Sequence, residues 1–335
     1  MKFFWWAGLI RILCLGVLLS PSSVHAVSPP AEIESLLARM SESTRQLDYR
    51  GLFTYEYGGS QETLRVSHSV VNGVEYERLE HLTGPAREIF RTGRKVDCDY
   101  IGDQLLSGRL QGLSSNYSSL EHFYLFYLRG SERVAGREAW VLDVVPRDQF
   151  RYGYSLSVDR ETGILLKSLL IGRNKKVLER FQFVELDLGP VASAGPAVPT
   201  LASSSHRMAD HALSECNLLQ PPTAEIWQAN WLPAGFLFTG QERKQLEGDS
   251  VWRDVLMFTD GLTSFSVFIE PVAEVAALEG RAQRGATAVY LSRLQVGDEY
   301  FRVTVVGEIP LQTIQRVAAS IVPLMAATQG GVGVD

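Results

Sequence analysis

Cysteine is scarce in the sequence, with three residues among 335. Cys14 lies in the apolar N-terminal segment, which leaves Cys98 and Cys216 for the rest of the chain. Two cysteines do not make the framework of a disulfide-stabilised fold, so that class of small secreted scaffold is excluded. They could pair in an oxidising compartment, but Cys98 alternates with Val96 and Tyr100 in a strand-like pattern that also suits a buried free thiol.

Positive charge is also in deficit, because 32 lysines and arginines face 38 aspartates and glutamates, for a net charge of −6. Proteins that bind nucleic acid carry a basic surface, since they must neutralise phosphates. The acidic composition therefore predicts that nucleic acid is not among the partners.

Sequence motifs of common catalytic sites are missing. There is no G-x-S-x-G elbow, H-E-x-x-H helix, C-x-x-C pair or phosphate-binding glycine loop. His206 and His211 lie near Cys216, but their spacing fits no closed zinc site. Asp97 and Asp99 have the spacing of solvent-facing strand residues, which explains them better than a general acid–base pair does. These observations predict a protein that is not an enzyme and that holds no metal and no cofactor.

Long apolar runs are confined to the N-terminus. A positively charged start is followed by an apolar run over 3–19 that Arg11 interrupts. Val24 and Ala26 then place small residues at the two positions that a signal peptidase reads. The run is shorter than the roughly 20 apolar residues that span a bilayer, which disfavours the alternative of a membrane anchor. We therefore predict a signal peptide over 1–26 and export of the remaining chain.

The exported part divides into two predicted domains, as its length suggests. Residues 27–188 begin with an amphipathic helix and continue as alternating strands joined by turns such as Asn72-Gly73. A stretch rich in proline, alanine, serine and glycine over 189–225 predicts a linker. Residues 226–325 show further alternating strands and a last helix that starts at Pro310. The pattern predicts an α+β chain with two antiparallel sheets.

Aromatic residues are crowded in the first predicted domain. Phe53, Tyr55 and Tyr57 alternate on one strand. The next aromatic segment has the spacing of a short mid-domain helix, which would place Phe123 and Tyr127 on one helix face. An ordinary core is one interpretation. A lipid-binding cavity lined by these five residues is the other, because a tyrosine ring lines an apolar pocket while its hydroxyl meets water or a headgroup.

Basic residues cluster in the same domain despite the acidic composition. Arg87, Arg91, Arg94 and Lys95 fall within nine residues, and a second basic group lies over 173–180. Arginine clusters bind phosphate or carboxylate through paired hydrogen bonds, although charge at solvated hairpin edges also prevents aggregation. The first cluster is the candidate anion-binding site, and an apolar cavity beside it would fit a phosphorylated lipid.

A pair of tryptophans opens the second predicted domain. Trp227 and Trp231 lie four residues apart, before Pro233. Tryptophan is enriched among the residues that carry binding energy, so the pair is a candidate partner-binding surface. A place in the core of the domain is the alternative.

Six segments resemble the MucB/RseB family of sigma-E regulatory proteins. They are LDYRGLFTYEY at 47–57, LTGPAREIFR at 82–91, YSLSVDRETGILLKSLLI at 154–171, WLPAGF at 231–236, FTDGLTSFSVFIE at 258–270 and VTVVGEIP at 303–310. Each segment alone is a weak signal. All six in order across two domains are specific, and they span essentially the whole exported chain.

The resemblance implies a fold. The first domain is expected to look like the lipoprotein carriers LolA and LolB, in which a curved antiparallel half-barrel is closed by helices around an apolar cavity. A smaller domain with an antiparallel sheet and a helix is expected to follow.

The resemblance also implies a function in the periplasm. The family binds the periplasmic domain of a single-pass inner-membrane anti-sigma factor of the MucA/RseA type. It protects that factor from regulated proteolysis and is thereby a negative regulator of an envelope-stress sigma factor. Lipopolysaccharide or phospholipid is the expected signal for release. A periplasmic lipid or lipoprotein carrier of the LolA/LolB type is the alternative, and assembly into a homo-oligomer stays open.

Overall fold

The structure is a computed structural model, and it describes residues 30–95, 113, 116–190, 226–245, 251–273 and 279–324. The predicted signal peptide and nearly all of the predicted linker lie outside the described residues. The same holds for Cys98, Cys216, His206, His211, Asp97 and Asp99.

Nine antiparallel strands form the sheet of the first domain. They are β1 (Tyr49–Tyr57), β2 (Ser60–Val71), β3 (Val74–His81), β4 (Arg87–Lys95), β5 (Tyr124–Val134), β6 (Arg137–Pro146), β7 (Gly153–Asp159), β8 (Leu165–Ile171) and β9 (Val177–Leu188). Two β-meanders, β1–β4 and β5–β9, are joined because the first strand pairs with the last. The resulting order is β4-β3-β2-β1-β9-β8-β7-β6-β5, so the sheet is open with β4 and β5 at its edges.

The cross-strand register gives the sheet one apolar face, which we call the inner face. Phe53 on β1 lies opposite Phe183 on β9 and opposite Leu64 on β2. Across β8 the same face continues to Leu156 on β7, which is fully buried beside Tyr154. Since side chains alternate between faces along a strand, the residues between these positions lie on the opposite, more polar face.

Helix α1 (Pro30–Gln46) is amphipathic and covers part of the inner face. It begins with a proline, whose missing N–H is harmless in the first helical turn. Ile33, Leu36, Leu37 and Met40 recur at helical spacing and are at most 2% exposed. They belong to the hydrophobic core that includes the inner-face residues of β5–β8.

The prediction that Phe123 and Tyr127 lie on a short helix is wrong. A one-turn helix, α2 (Tyr117–Leu120), precedes both residues, and β5 starts at Tyr124. Tyr124 and Phe126 alternate toward the core, and aromatic residues favour strands. The segment is short and almost wholly apolar, so a period of two and a helical period fit its sequence equally well.

The second domain is a smaller antiparallel sheet with one helix. Its strands are β10 (Trp227–Ala229), β11 (Leu237–Gln245), β12 (Trp252–Thr259), β13 (Ser264–Val272), β14 (Gly280–Arg284), β15 (Thr287–Val296), β16 (Glu299–Gly307) and β17 (Ile321–Pro323). Six of them pair in the order β11-β12-β13-β16-β15-β14, while β10 pairs with β17. Helix α3 (Leu311–Ala318) packs against β15 and β16 through a core that includes Ile314 and Val317.

The predicted α+β chain of two antiparallel sheets, the second smaller and followed by a helix, is confirmed. The boundaries at 188/189 and 225/226 stay predictions. Over the ranges that the structure describes, no helix is long and apolar enough to cross a bilayer.

We predict that Gly307→Ala destabilises the second domain. Gly307 lies opposite Phe265, and a Cβ at this position would overlap the Phe265 Cβ and come 2.7 Å from its Cα. Because backbone atoms cannot swing away, we expect the free energy of unfolding to fall by about 1–3 kcal/mol. Gly280→Ala is the matched control, since Gly280 lies in a strand of the same sheet with nothing within 4 Å of the added Cβ. Equal melting temperatures for the two variants in thermal unfolding would contradict the prediction.

Candidate functional site

Five aromatic rings lie together on the inner face of β1 and β9. We call this cluster the aromatic platform, and its members are Phe53, Tyr55, Tyr57, Phe181 and Phe183. The Phe181 ring centroid lies 5.0 Å from that of Phe53 and 5.2 Å from that of Phe183, within the range of packed aromatic pairs. Tyr55 and Tyr57 stack with centroids 5.2 Å apart. Phe183 is buried, whereas the other four side chains are half-buried, so part of each meets solvent.

Two local features of the backbone build the platform. The β1–β9 register shifts between Leu52 and Phe53, so that Phe53 lies opposite Phe183 and the two rings meet. Gly51 leaves room for this packing, since a Cβ there would lie 2.8 Å from the Phe183 ring and 2.5 Å from the Glu185 carbonyl oxygen. A larger residue at position 51 would therefore push β9 away from β1.

Carboxylates hold the two tyrosine hydroxyls at one end of the platform. The Tyr55 hydroxyl donates to Glu179 Oε2 over 2.5 Å, and the Tyr57 hydroxyl donates to Glu62 Oε1 over 2.8 Å. The hydrogen bond to Glu62, together with partial burial, raises the pKa of Tyr57. Both hydroxyls are therefore held in place, and each tyrosine combines the apolar face of its ring with a hydrogen-bonded polar tip.

The platform includes three of the five residues predicted to line a lipid cavity, namely Phe53, Tyr55 and Tyr57. Tyr127 does not join them, because its cross-strand neighbours are Asp143 and then Ser155 on the opposite face of the sheet. Phe123 lies just before β5, and its ring packs against Gly235 of the second domain, where an added Cβ would lie 2.5 Å from it. The helical interpretation of this segment is the cause of both misplacements.

The predicted anion-binding cluster lies on the edge strand β4. Arg87 is exposed and lies in one cross-strand row with His81, Leu64 and Phe53, so it belongs to the inner face. Three inter-strand spacings of about 4.8 Å place β4 about 14 Å from β1. The side chains of Arg91, Arg94 and Lys95 lie outside the described part of the structure.

The two tryptophans predicted to bind a partner are engaged within the chain. Trp227 is 5% exposed, donates through Nε1 to Asp254 Oδ2 over 3.0 Å and packs on the Phe301 ring, which corresponds to the core alternative. Trp231 is half-buried at the contact between the domains. Its ring centroid lies 5.3 Å from that of Phe150 in the first domain.

A buried ion pair joins the two domains. Arg151 of the first domain donates through Nη1 to Asp260 Oδ2 of the second over 2.8 Å, and both side chains are 0% exposed. The Tyr124 hydroxyl donates to the same oxygen over 2.9 Å. Arg151 also donates to the Ala234 carbonyl oxygen and pairs with Asp148. Every face of this contact is therefore occupied by protein.

The electrostatics of the pair reflect its burial. Burial raises the pKa of the Asp260 carboxyl, while hydrogen bonds from backbone amides and the Arg151 charge act in the opposite direction. Burial, followed by the Asp260 charge, raises the pKa of Tyr124 well above its usual value. The rings of Phe123, Tyr124 and Phe236 surround the guanidinium at 5.1–5.4 Å from their centroids. Such cation–π contacts compensate part of the lost hydration of Arg151.

A second contact between the domains reaches the platform. In the turn between β14 and β15, the Ala286 amide donates to Glu179 Oε1 over 2.9 Å. The Arg284 guanidinium lies 4.7 Å from the Tyr57 ring centroid and donates to Ser60 Oγ over 3.1 Å. The two domains therefore contact each other at this turn as well as at the buried ion pair and at the Trp231–Phe150 ring contact.

Arg151, Asp260 and Glu179 were not anticipated from the sequence. Each is a single charged residue near a predicted strand or turn, and such residues are usually solvated. The partners that connect the two domains are far away in the chain, which leaves no local spacing to detect. Within the described ranges, no group of three or more histidine, cysteine, aspartate or glutamate side chains is placed to hold a metal ion.

These features define a two-domain antiparallel-sheet protein with an aromatic candidate binding face. The chain belongs to the MucB/RseB family, because the family's N-terminal domain model matches residues 32–207 and its C-terminal domain model matches residues 221–322. The resemblance based on six sequence segments is confirmed.

Named relatives extend over nearly the whole chain. The sigma factor AlgU regulatory protein MucB of Pseudomonas aeruginosa is 39% identical over 327 residues, which is 94% of this chain and 98% of MucB. The sigma-E factor regulatory protein RseB of Escherichia coli K12 is 28% identical over 316 residues, covering 89% and 93% of the two chains. The structure of the Pseudomonas aeruginosa MucA/MucB complex matches with a TM-score of 0.69 at 38% identity, over 88% of this chain and 100% of that chain.

We predict that Asp260→Asn loosens the contact between the domains. Asparagine keeps an Oδ1 atom for the Leu262 and Thr263 amides that Asp260 now binds, but it leaves Arg151 without its buried counter-charge. Breaking one side of a buried pair costs about 3–5 kcal/mol, so the free energy of unfolding should fall by that order.

The matched control is Asp298→Asn, which makes the same change at an exposed turn of the same domain. Urea unfolding and the radius of gyration from small-angle scattering measure the effect. If Asp260→Asn has the same urea midpoint and the same radius of gyration as the wild type, the ion pair does not hold the domains together.

Proposed function

We propose that this chain is a periplasmic negative regulator of an envelope-stress sigma factor. It binds the periplasmic domain of a single-pass inner-membrane anti-sigma factor and protects that domain from proteolysis. The observation that carries the proposal is the 39% identity with MucB across 94% of this chain. Both domains are included in that match, which supports a function of the interlocked pair rather than of one sheet alone.

Binding alone is sufficient for this function. An anti-sigma segment that is covered cannot enter the active site of its protease, and the sigma factor then stays sequestered. A signal that releases the segment acts by its differential affinity for the free and bound states, and by no more than that. The chain therefore needs no catalytic group, and we propose that it is not an enzyme.

We propose further that the release signal is lipopolysaccharide or a phospholipid that binds the inner face of the first domain. The aromatic platform offers half-buried rings for an acyl chain. Arg87 lies on the same face about 14 Å away, a separation that three strand spacings set. This geometry suits a molecule with an apolar chain at one end and a phosphate at the other.

Binding of the anti-sigma factor is the first prediction from this proposal. The mature chain, immobilised and exposed to the periplasmic segment of the anti-sigma factor of the same organism, should retain it and slow its cleavage by the first-site protease. Retention of lipoproteins without the anti-sigma segment would favour the carrier instead. Failure to retain the segment at micromolar concentration would overturn the proposal.

The lipid signal gives a separate prediction. Arg87→Glu combined with Arg91→Glu should abolish the release of the anti-sigma segment by lipopolysaccharide while leaving its binding intact. Replacing attraction by repulsion at a phosphate is a large change where solvent is partly excluded. The readout is protection of the anti-sigma segment from its protease during a lipopolysaccharide titration.

The matched control for this prediction is Arg50→Glu combined with Arg65→Glu. These two residues are exposed on the same half of the sheet, but their register puts them on the opposite face. The control double variant has the same net charge and should respond to lipopolysaccharide like the wild type. Equal release from both double variants would remove the β4 cluster from the mechanism.

A further inference from the structure

The turn between β14 and β15 sits on one end of the aromatic platform. Ala286 at this turn is fully buried and belongs to the core of the first domain, although it comes from the second. Arg284 at the same turn lies over the Tyr57 ring. The second domain thus covers the end of the platform that Tyr55 and Tyr57 form.

One carboxylate connects the platform with this turn. Glu179 accepts the Tyr55 hydroxyl on Oε2 and the Ala286 amide on Oε1. Glu179 itself is buried, and its two oxygens accept hydrogen bonds from one group of each domain. When the turn leaves, Glu179 and the rings beside it become accessible together.

The fit between the two domains at this place is close. Gly285 has a φ of +61°, and a Cβ there would lie 2.8 Å from Glu179 Oε1. On the facing turn between β1 and β2, a Cβ at Gly58 would overlap the Arg284 side chain and lie 3.1 Å from the Gly285 nitrogen. A Cβ at Gly285 would therefore have to displace Glu179 Oε1, and a Cβ at Gly58 would have to displace the Arg284 side chain.

We propose that the Arg284–Gly285–Ala286 turn is a built-in cover of the aromatic platform, which an amphiphile with an acyl chain and a phosphate headgroup must displace. Docking of the turn and occupation of the covered end of the platform therefore exclude each other. The inference rests on the lipid-binding part of the proposed function. It adds that the second domain competes with the lipid at a defined place.

The contacts of the turn suit a removable cover. Its attachment consists of one amide hydrogen bond to Glu179, a hydrogen bond from Gln283 to the Tyr152 hydroxyl, the Arg284 contacts and the small Ala286 side chain. The Arg151–Asp260 pair holds the domains together elsewhere. Loss of the turn contact therefore does not require the ion pair to break. The apparent affinity for the amphiphile is its intrinsic affinity reduced by the fraction of molecules in which the turn is undocked.

The test compares Gly285→Ala with Gly297→Ala in the mature two-domain protein. Both glycines lie in hairpin turns that flank β15 and have φ near +60°, so alanine causes the same backbone strain at each. Only the Cβ at 285 meets Glu179, since nothing lies within 4 Å of a Cβ at 297. A difference between the two variants therefore reports on the docked turn.

The probe is dodecyl phosphate, kept monomeric and titrated in a calorimeter. Undocking the turn should strengthen its binding about tenfold in Gly285→Ala, because the undocked fraction rises, while Gly297→Ala binds like the wild type. Hydrogen exchange at the Ala286 amide checks that the turn is displaced, and it should be faster in Gly285→Ala only.

Three results would overturn the inference. One is faster Ala286 exchange in Gly285→Ala without stronger binding of the probe, which would show that the turn and the amphiphile do not compete. Another is unchanged Ala286 exchange in that variant, since the added Cβ must displace Glu179 Oε1, which accepts the hydrogen bond from the Ala286 amide in the docked turn. The third is no binding of dodecyl phosphate to any of the proteins. Retention of the anti-sigma segment by the same wild-type sample would then show that the regulatory function stands without this site.

Discussion

The pairing of β1 with β9 is the contact on which the first domain depends. It joins two meanders that would otherwise be separate four- and five-stranded sheets. It also places Phe53, Tyr55 and Tyr57 beside Phe181 and Phe183, so that the platform exists only where these strands meet. The pairing connects residues more than a hundred positions apart, as between Tyr49 and Leu188. The entropy of closing such a loop grows only slowly with its length, and burial of the aromatic rings offsets it.

At the contact between the domains, the desolvation cost of two buried charges is set against the hydrogen bonds that they form. Removing Arg151 and Asp260 from water is costly, and a buried ion pair recovers that cost only when its geometry is good and its remaining hydrogen bonds are made. Here Tyr124, Ala234 and Asp148 complete the pair. Alternative arrangements of the two domains would leave one of the charges without its partner. The pair therefore favours one docked arrangement over others that apolar contacts alone would permit.

The elements that could be predicted from the sequence are those that a local periodicity or turn preference defines. The apolar stripe of α1 and the alternation of Phe53, Tyr55 and Tyr57 are properties of single segments, and the Asn72-Gly73 turn has a direct dihedral preference. Tyr127 was misplaced because a short apolar aromatic segment fits two periods. Arg151 and Asp260 are 109 residues apart, and no local pattern marks such a pair. For Trp227 the sequence left two interpretations open, a partner-binding surface and a place in the core, and the residue lies in the core.

The place of β9 in the sheet has a consequence for biosynthesis. Although β9 is the last strand of the domain to be made, it is the fifth of nine in the spatial order, at the centre of the sheet. Until it emerges, β1 and β8 are both unpaired edges with apolar side chains, and such edges invite association with other chains. A chain synthesised from its N-terminus therefore cannot complete this domain early. The sheet stays divided into two incomplete meanders until its last strand is available to join them.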